Sequence, residues 1–521
     1  MMRSLTLVGS SADVGTIVSV LEVAGVSLEE TARVSRTRLD TFDGLLHEAG
    51  LRLERRSVGA GGSAACELVL TGPGAAAHLP VATPVDEDAP VAPHELPPGP
   101  LRARLLAICG PRVLLPQVTL TSMRQHGCRR TIEGEPRVLA HLDASLEVTG
   151  APTAPDLAVE VEALPGAAKA ARKLRKRLEE HGLTPHPGDV LDLAATEAGV
   201  DLRGWQNKRE LDLDRRGPAL VGFRAVLRSF AEGLEANWDG TAEHVDSEFL
   251  HDLRIAVRQT RSLLTQGRKV LPDDVRQEQG EVFRWLGGLT SPARDLDVYV
   301  EGWHELIGGL TDDEQRSLDP VLDHLVEYRQ DAHSEVTDGL RSDHAKELRE
   351  RWYAWLALSD DEVEGGPDAG VPLGVAAAKR IRRAQRRVIT DGRAIGPDSP
   401  AADLHQLRKD AKRLRYLLES FGALGGQKRK KEMVVHLKKL QDNLGAHQDA
   451  EVQADRLRKA VVELEAEGPP PPIAVAALER LATELDKRQA DERAAFDTTF
   501  AAYDRKNVRR TLQDLTERMS R

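Results

Sequence analysis

The sequence predicts an α+β N-terminal half followed by an all-α half built from two copies of one helical bundle. Three observations carry this. Short stretches of alternating apolar and polar residues are scattered through residues 1–188. From residue 215 onward the apolar spacing becomes helical. HDLRIAVRQTRSLL (His251–Leu264) returns 154 residues later as HQLRKDAKRLRYLL (His405–Leu418). A period of two marks half-buried strands, a period near 3.6 marks amphipathic helices, and a constant offset marks a repeat.

In the first half, SLTLVG near the start, LRLERR at Leu51–Arg56, CELVLT at Cys66–Thr71 and LAVEVEAL at Leu157–Leu164 read as strands. The Pro, Ala and Gly-rich run Gly72–Pro100 reads as a flexible loop, and Lys169–His181 as a surface helix stopped by Gly182. Residues 189–214 read as a charged linker. In the second half the first copy is expected to hold helices near 219–236, 248–270, 276–290, 294–308 and 313–341. Adding 154 gives 373–390, 402–424, 430–444, 448–462 and 467–495, with Pro218 meeting Pro372, Arg284 meeting Lys438 and Asp295 meeting Asp449. The two copies are bounded at 215–360 and 370–521.

Both repeated stretches carry His, then a base three, seven and ten residues on: His251, Arg254, Arg258 and Arg261, and His405, Arg408, Lys412 and Arg415. At about 100° per residue these positions fall within an arc of roughly 80°, one cationic stripe per helix. Leu250, Leu253, Val257 and Leu264, or Leu404, Leu407, Ala411 and Leu418, form the adjacent packing stripe. A lone basic helix is most simply a solvated face. A repeated register of cations without interspersed acids is what a site gripping several anionic groups requires. Arg228 and Arg382, Arg284 and Lys438 are added from neighbouring helices, and Lys379, Arg383, Arg386 and Lys409 as one extended wall; the tetrabasic Lys428–Lys431 is the weaker candidate.

The chain of 521 residues carries a formal net charge of -11, which argues against a general nucleic-acid binder. The mean conceals an asymmetry, for Val375–Leu440 holds 18 Lys and Arg against 6 Asp and Glu. A basic concavity in an acidic protein is a selective anion trap. Aromatic residues are 4% of the chain, too few for a base-stacking surface, so DNA and RNA are the disfavoured polyanions. The cysteines Cys66, Cys109 and Cys128 lack CxxC spacing, and Asp252 follows only one of the two stripe histidines. Neither a metal site nor a cofactor is therefore expected. No apolar run reaches the roughly 20 residues of a membrane span and the N-terminus lacks a signal-peptide core, so a cytoplasmic protein is expected.

The two stripes resemble the CHAD family, whose α-helical domain binds inorganic polyphosphate, and the resemblance covers residues 215–521. A duplicated helical unit packing about a pseudo-twofold axis would bring the two basic faces to a common channel or groove, where His251 and His405 are expected to contact phosphate. A structural hydrogen bond, a metal ligand and a phosphoacceptor remain alternative roles for the histidines. Gln259 and Thr260 replace bases of the family's RRLR run, which puts the first copy's affinity below the second's, and Ser291 stands where Gly445 keeps the usual glycine.

Residues 1–188 resemble the CYTH or triphosphate-tunnel family, an antiparallel β-barrel with an acidic and basic interior. The resemblance rests on LDTFDGLLHEAGLRLERR (Leu39–Arg56) and on VEVE around Glu160 and Glu162. The family's N-terminal ExExK strand is replaced by Ser4-Leu5-Thr6-Leu7-Val8, Val69 stands for a strand lysine, and Thr121 and Ser122 occupy a strand usually rich in arginine. Arg52, Arg55, Arg124, Glu160 and Glu162 alone leave the metal-holding set incomplete. The expectation is a non-enzymatic polyphosphate binder, associated with polyphosphate granules, with a degenerate barrel. The rivals are a metal-dependent triphosphate or polyphosphate hydrolase and a nucleic-acid-binding module.

Overall fold

A computed structural model describes residues 5–9, 13–59, 65–72, 75–81, 89–151, 155–206, 211–467 and 471–521. The chain divides into two compact units, Met1–Gln206 and Asn207–Arg521.

The first unit is one antiparallel sheet with short helices. Its strands are β1 (Leu5–Gly9), β2 (Ser27–Leu28), β3 (Ala32–Asp40), β4 (Arg52–Val58), β5 (Ala65–Gly72), β6 (Ala75–Val81), β7 (Leu115–Arg130), β8 (Pro136–Val148), β9 (Leu157–Ala163) and β10 (Thr184–His186). They lie in the order β10-β1-β9-β8-β7-β3-β4-β5-β6, with β2 beside β7. The helices are α1 (Val14–Val23), α2 (Leu45–Glu48), α3 (Pro100–Cys109), α4 (Ala168–Glu180) and α5 (Val190–Glu197). Apolar faces of α1 and α4 cover Leu7, Leu142 and Val159 in one core cluster, and α5 covers Val118 and Leu120 in another.

Two sequence expectations need correction here. The run Gly72–Pro100 contains strand β6, and the segment 189–214 contains α5, which belongs to the sheet unit. Capping explains α5: Asp189 accepts from Leu191 and Asp192 backbone amides at 2.8 and 3.0 Å, while Asp192 returns the bond to the Asp189 amide. Of the two longest strands, β7 was anticipated only at Thr121 and Ser122 through the family resemblance, and β8 was not foreseen. Val118, Leu120, Val138, Ala140 and Leu142 are buried in them at every second position, but buried Ser122, Arg124 and Asp143 interrupt that apolar alternation.

The second unit is all helical. Its helices are α6 (Ala219–Ala236), α7 (Trp238–Ala242), α8 (Ser247–Gln266), α9 (Asp273–Glu301), α10 (Trp303–Ile307), α11 (Asp312–Ser317), α12 (Asp319–Arg341), α13 (Asp343–Ala357), α14 (Leu373–Ala394), α15 (Ala401–Phe421), α16 (Gln427–Glu467), α17 (Pro472–Tyr503) and α18 (Lys506–Ser520). The starts of α6 and α14, α8 and α15, and α9 and α16 are each 154 residues apart. Pro218 and Pro372 pair with each other: the Ala219 amide donates to the Val371 carbonyl and the Leu373 amide to the Gly217 carbonyl, both at 2.8 Å. This reciprocity is what a local twofold relation between the copies produces. A Cβ at Gly222 would run into Leu373, so glycine is what lets α6 approach α14 there. One core joins Leu253, Val257 and Phe223 of the first copy to Leu407, Ala411 and Phe421 of the second.

The helix breaks expected near 290–294 and 444–448 are not present, because α9 runs 29 residues through Pro292 and α16 runs 41. Pro292 removes the amide that would serve the Gly288 carbonyl. Around it the Thr290 and Ser291 hydroxyls bond back to the Leu286 and Gly287 carbonyls at 2.7 Å. Leu318 instead interrupts the expected 313–341 helix, and α13 and α18 are additions. Among the described residues no helix is long and apolar enough to cross a membrane.

Candidate functional site

The packing stripe reads directly into the structure: Leu250, Leu253, Val257 and Leu264 on α8, and Leu404, Leu407, Ala411 and Leu418 on α15, are all 2% exposed or less. With these faces fixed in the core, the cationic stripes take the flanks of their helices. Arg254 reaches from α8 to α9, donating to Thr290 and Ser291 hydroxyls at 3.0 Å. Its counterpart Arg408 bridges α15 to α16 through an ion pair with Asp449 at 3.2 Å. The small residues of α9 and α16 make room for these bases. A Cβ at Gly287 would sit 2.8 Å from the Arg261 guanidinium, and one at Gly445 would sit 3.6 Å from Arg408.

The stripes meet. Burial, then the charges of Arg408, Arg258 and Arg415, push the Lys412 ammonium down to about 8. Arg258 belongs to the other copy and is the residue equivalent to Lys412. Burial, then Arg258, lowers Arg254 to about 10, with Arg294 and Arg261 adding to the shift; burial, then Arg284, lowers Arg261. Mutual repulsion thus links Arg284, Arg261, Arg254, Arg258, Lys412, Arg408 and Arg415 into one track across both copies. Carboxylates temper its flanks. Asp295 acts on Arg254 and at longer range on Arg258, Asp449 pairs with Arg408 and acts at longer range on Lys412, and Glu419 lies 3.5 Å from Arg415. At the centre, Arg258 and Lys412 form no hydrogen bond or close ion pair among the described residues, and Arg258 Nε is buried without a partner. Half-buried cations left unpaired face a desolvation cost that a multivalent anion would relieve.

The histidines sit beside this track. His405 Nδ1 is hydrogen-bonded to the Gln448 amide oxygen, leaving Nε2 as its second ring nitrogen. His251 is half-buried on α8 and has an interaction partner within the chain. Lys379, Arg383 and Arg386 are exposed on α14 and Arg382 is half-buried there; Lys409 and Lys438 are exposed on α15 and α16. Arg228 does not join the track. Its Nε donates to the Leu356 carbonyl at 2.8 Å and its guanidinium lies 3.4 Å from Asp360. Arg224, fully buried one turn earlier, donates to the Ser359, Trp355 and Leu358 carbonyls. Both arginines satisfy the carbonyls at the C-terminal end of α13, a structural duty.

In the sheet unit, one face of the central strands is charged and buried. Arg36 lies 3.2 Å from Asp143, 3.6 Å from Glu160 and 3.8 Å from Glu54. Arg124 lies 2.7 Å from Asp143 and 2.9 Å from Glu160. Ser122 also donates to Asp143 at 2.7 Å, and Arg56 joins Glu54 at 3.3 Å. Burial by itself would raise Glu160, but Arg36 and Arg124 hold it well below the usual carboxylate range. Of the five residues picked from the sequence, Arg124 and Glu160 belong to this lattice and Glu162 is half-buried on β9 outside these ion pairs, whereas Arg52 pairs with Asp189 and Arg55 donates to the Ala89 carbonyl. Arg36, Glu54 and Asp143 were missed. The signal available was the R-x-R alternation of β3, with Arg36 and Arg38 on one face.

Comparison with known proteins decides the class of the helical unit, for the family model of the CHAD domain matches residues 225–458. Residues 225–458 are a CHAD domain. The matched span contains both cationic stripes and stops short of α17 and α18. An uncharacterized protein of Mycobacterium tuberculosis is 28% identical over 287 residues, which are 51% of this chain and 52% of that protein. The chain thus spans about half the length of the curated relatives it matches. Among solved structures, the CHAD domain from the plant Ricinus communis is similar at 23% identity and a TM-score of 0.47, covering 56% of this chain and 94% of that one. PptA from Streptomyces chartreusis follows at 21% identity and a TM-score of 0.41, with 55% and 99% covered. A putative adenylyl cyclase from Hippeastrum, described as having a dominant triphosphatase activity, is similar at 16% identity and a TM-score of 0.26, with 39% and 100% covered. Within the CHAD domain of this chain, the track residues of both copies lie on the helices that carry the shared core.

Proposed function

We propose that this protein binds inorganic polyphosphate along the cationic track of its CHAD domain, without enzymatic turnover, and that binding brings the attached sheet unit to polyphosphate granules. The observation that carries this reading is the pair Arg258 and Lys412, equivalent residues of two copies drawn together half-buried, on which Asp295 and Asp449 act without forming a hydrogen bond or close ion pair. Polyphosphate offers a regular row of singly charged groups and no base. It therefore rewards spaced cations: arginine forks that grip two oxygens and a lysine that acts as a mobile point charge. Among the track residues the adjacent aromatic is Tyr416, with the Arg415 guanidinium 5.6 Å over its ring, so no open stacking platform favours nucleic acid. The test is capture of the full chain on immobilised long-chain polyphosphate across a salt series, with DNA as competitor. Binding should weaken steeply with salt because releasing condensed counterions into a saltier bulk gains less entropy, and polyphosphate should displace DNA at far lower concentration than the reverse. Retention unaffected by replacement of the track residues would remove the proposal.

The rival reading places hydrolysis in the sheet unit, whose interior carries both acids and bases. Its carboxylates Asp143, Glu160 and Glu54 are already engaged by Arg36, Arg124 and Arg56. Phosphate release from tripolyphosphate with Mg2+ or Mn2+, abolished by Glu160→Gln, would establish that reading instead.

A further inference from the structure

A second cluster lies in the first helical copy and contains none of the track residues. His244 in the turn before α8, Asp297 on α9 and His333 on α12 each place one ligand-type atom within 4.8 Å of the others. They are separated by 53 and 36 residues in sequence, so no short motif announced them. Asp297 and His333 are 0% and 3% exposed, while His244 is exposed and stands at a positive φ of 51°. The two imidazoles stack with centroids 3.6 Å apart.

One carboxylate oxygen is saturated. Asp297 Oδ1 accepts from Arg329 Nε at 2.7 Å and is bonded to His333 Nε2 at 2.8 Å. Asp297 Oδ2 and His333 Nδ1 are left buried with no partner among the described residues. Buried polar atoms in folded proteins are nearly always satisfied, and two orphans on one bonded pair of side chains mark a place for a further group. The fold itself does not require the trio. At the equivalent positions 154 residues on, the second copy has Asp398, Glu451 and Lys487. There an ammonium replaces one imidazole, so the cluster is peculiar to one copy rather than a feature of the bundle.

We propose that His244, Asp297 and His333 bind one divalent transition-metal ion of the zinc class, with a remaining coordination position open to solvent on the His244 side. Two imidazoles and a carboxylate are the donor set such ions take, whereas Mg2+ and Ca2+ demand oxygen-rich shells that three residues with two nitrogens do not supply. Parallel rings cannot both aim lone pairs at one ion. Capture therefore requires the exposed His244 ring to tilt out of its stack, while Asp297 and His333 stay fixed by the core and by Arg329.

The experiment uses the full chain, free of affinity tag and stripped with chelator, titrated calorimetrically with ZnCl2 and with MgCl2. The expected result is one equivalent of Zn2+ bound, none of Mg2+, and a melting temperature raised by Zn2+. His244→Ala removes an exposed side chain and should leave the circular dichroism spectrum unchanged while weakening Zn2+ binding by about tenfold or more. Absence of stoichiometric Zn2+ uptake, or uptake equal in wild type, His244→Ala and Asp297→Asn, would overturn the assignment. Because the readout is metal alone, its failure leaves polyphosphate binding untouched.

Discussion

Lys412 gives the sharpest test of the cationic track, because its ammonium loses its proton near pH 8 in the free protein rather than near 10.4. A bound polyanion supplies negative charge beside it and restores the proton, so binding takes up one proton above pH 8. At about pH 9 roughly nine-tenths of the free protein carries neutral Lys412. Reprotonation then costs about 1.4 kcal/mol, an affinity about tenfold weaker than at pH 7. Long-chain polyphosphate keeps its charge over this range, so the fall belongs to the protein. The assay is fluorescence anisotropy with end-labelled polyphosphate at constant ionic strength between pH 7 and pH 9. Lys412→Arg supplies a cation that does not titrate there and should flatten the profile while preserving affinity at neutral pH. A flat wild-type profile, or an equal fall in Lys412→Arg, would refute the convergence of the two stripes. Folding should respond in the opposite sense. The folded state binds this proton less tightly than the unfolded chain, so the penalty is fully present below pH 8 and is relieved as pH rises toward 10.4.

Replacing Arg408, Lys412 and Arg415 together by alanine should abolish polyphosphate binding with helicity intact by circular dichroism, since none of the three belongs to the core cluster. Arg224→Ala should do the converse, destabilising the helical unit by about 3 kcal/mol in urea unfolding because the carbonyls ending α13 lose their donors. Binding per folded molecule should stay at the wild-type level. In the sheet unit, Asp143→Asn strips the buried Arg36 and Arg124 of a shared partner and should cost about 3–5 kcal/mol, read as a lowered melting transition. Acid should act on the same lattice. Glu160 has a depressed pKa in the fold, so its stabilisation is present above about pH 4.3 and fades as pH drops below it, an effect that Glu160→Gln should remove.

The sequence by itself determined the helical half closely. The 3.6-residue spacing located α6, α8, α14 and α15 within a few residues of their ends, and the 154-residue offset made Pro218 and Pro372 equivalent positions, which the structure brings together as a reciprocal pair. It also separated the packing stripe from the basic stripe, because burial of leucines every third or fourth residue leaves the flank no other place to go. What it did not contain was distance between segments. That Arg258 opposes Lys412, that Arg228 instead serves α13, and that His244, Asp297 and His333 converge are consequences of packing between helices far apart in the chain. The charged interior of the sheet shows the same limit. Strand periodicity reports apolar burial, and a face buried through ion pairs leaves no apolar trace until register sets Arg36 and Arg124 against Asp143 and Glu160.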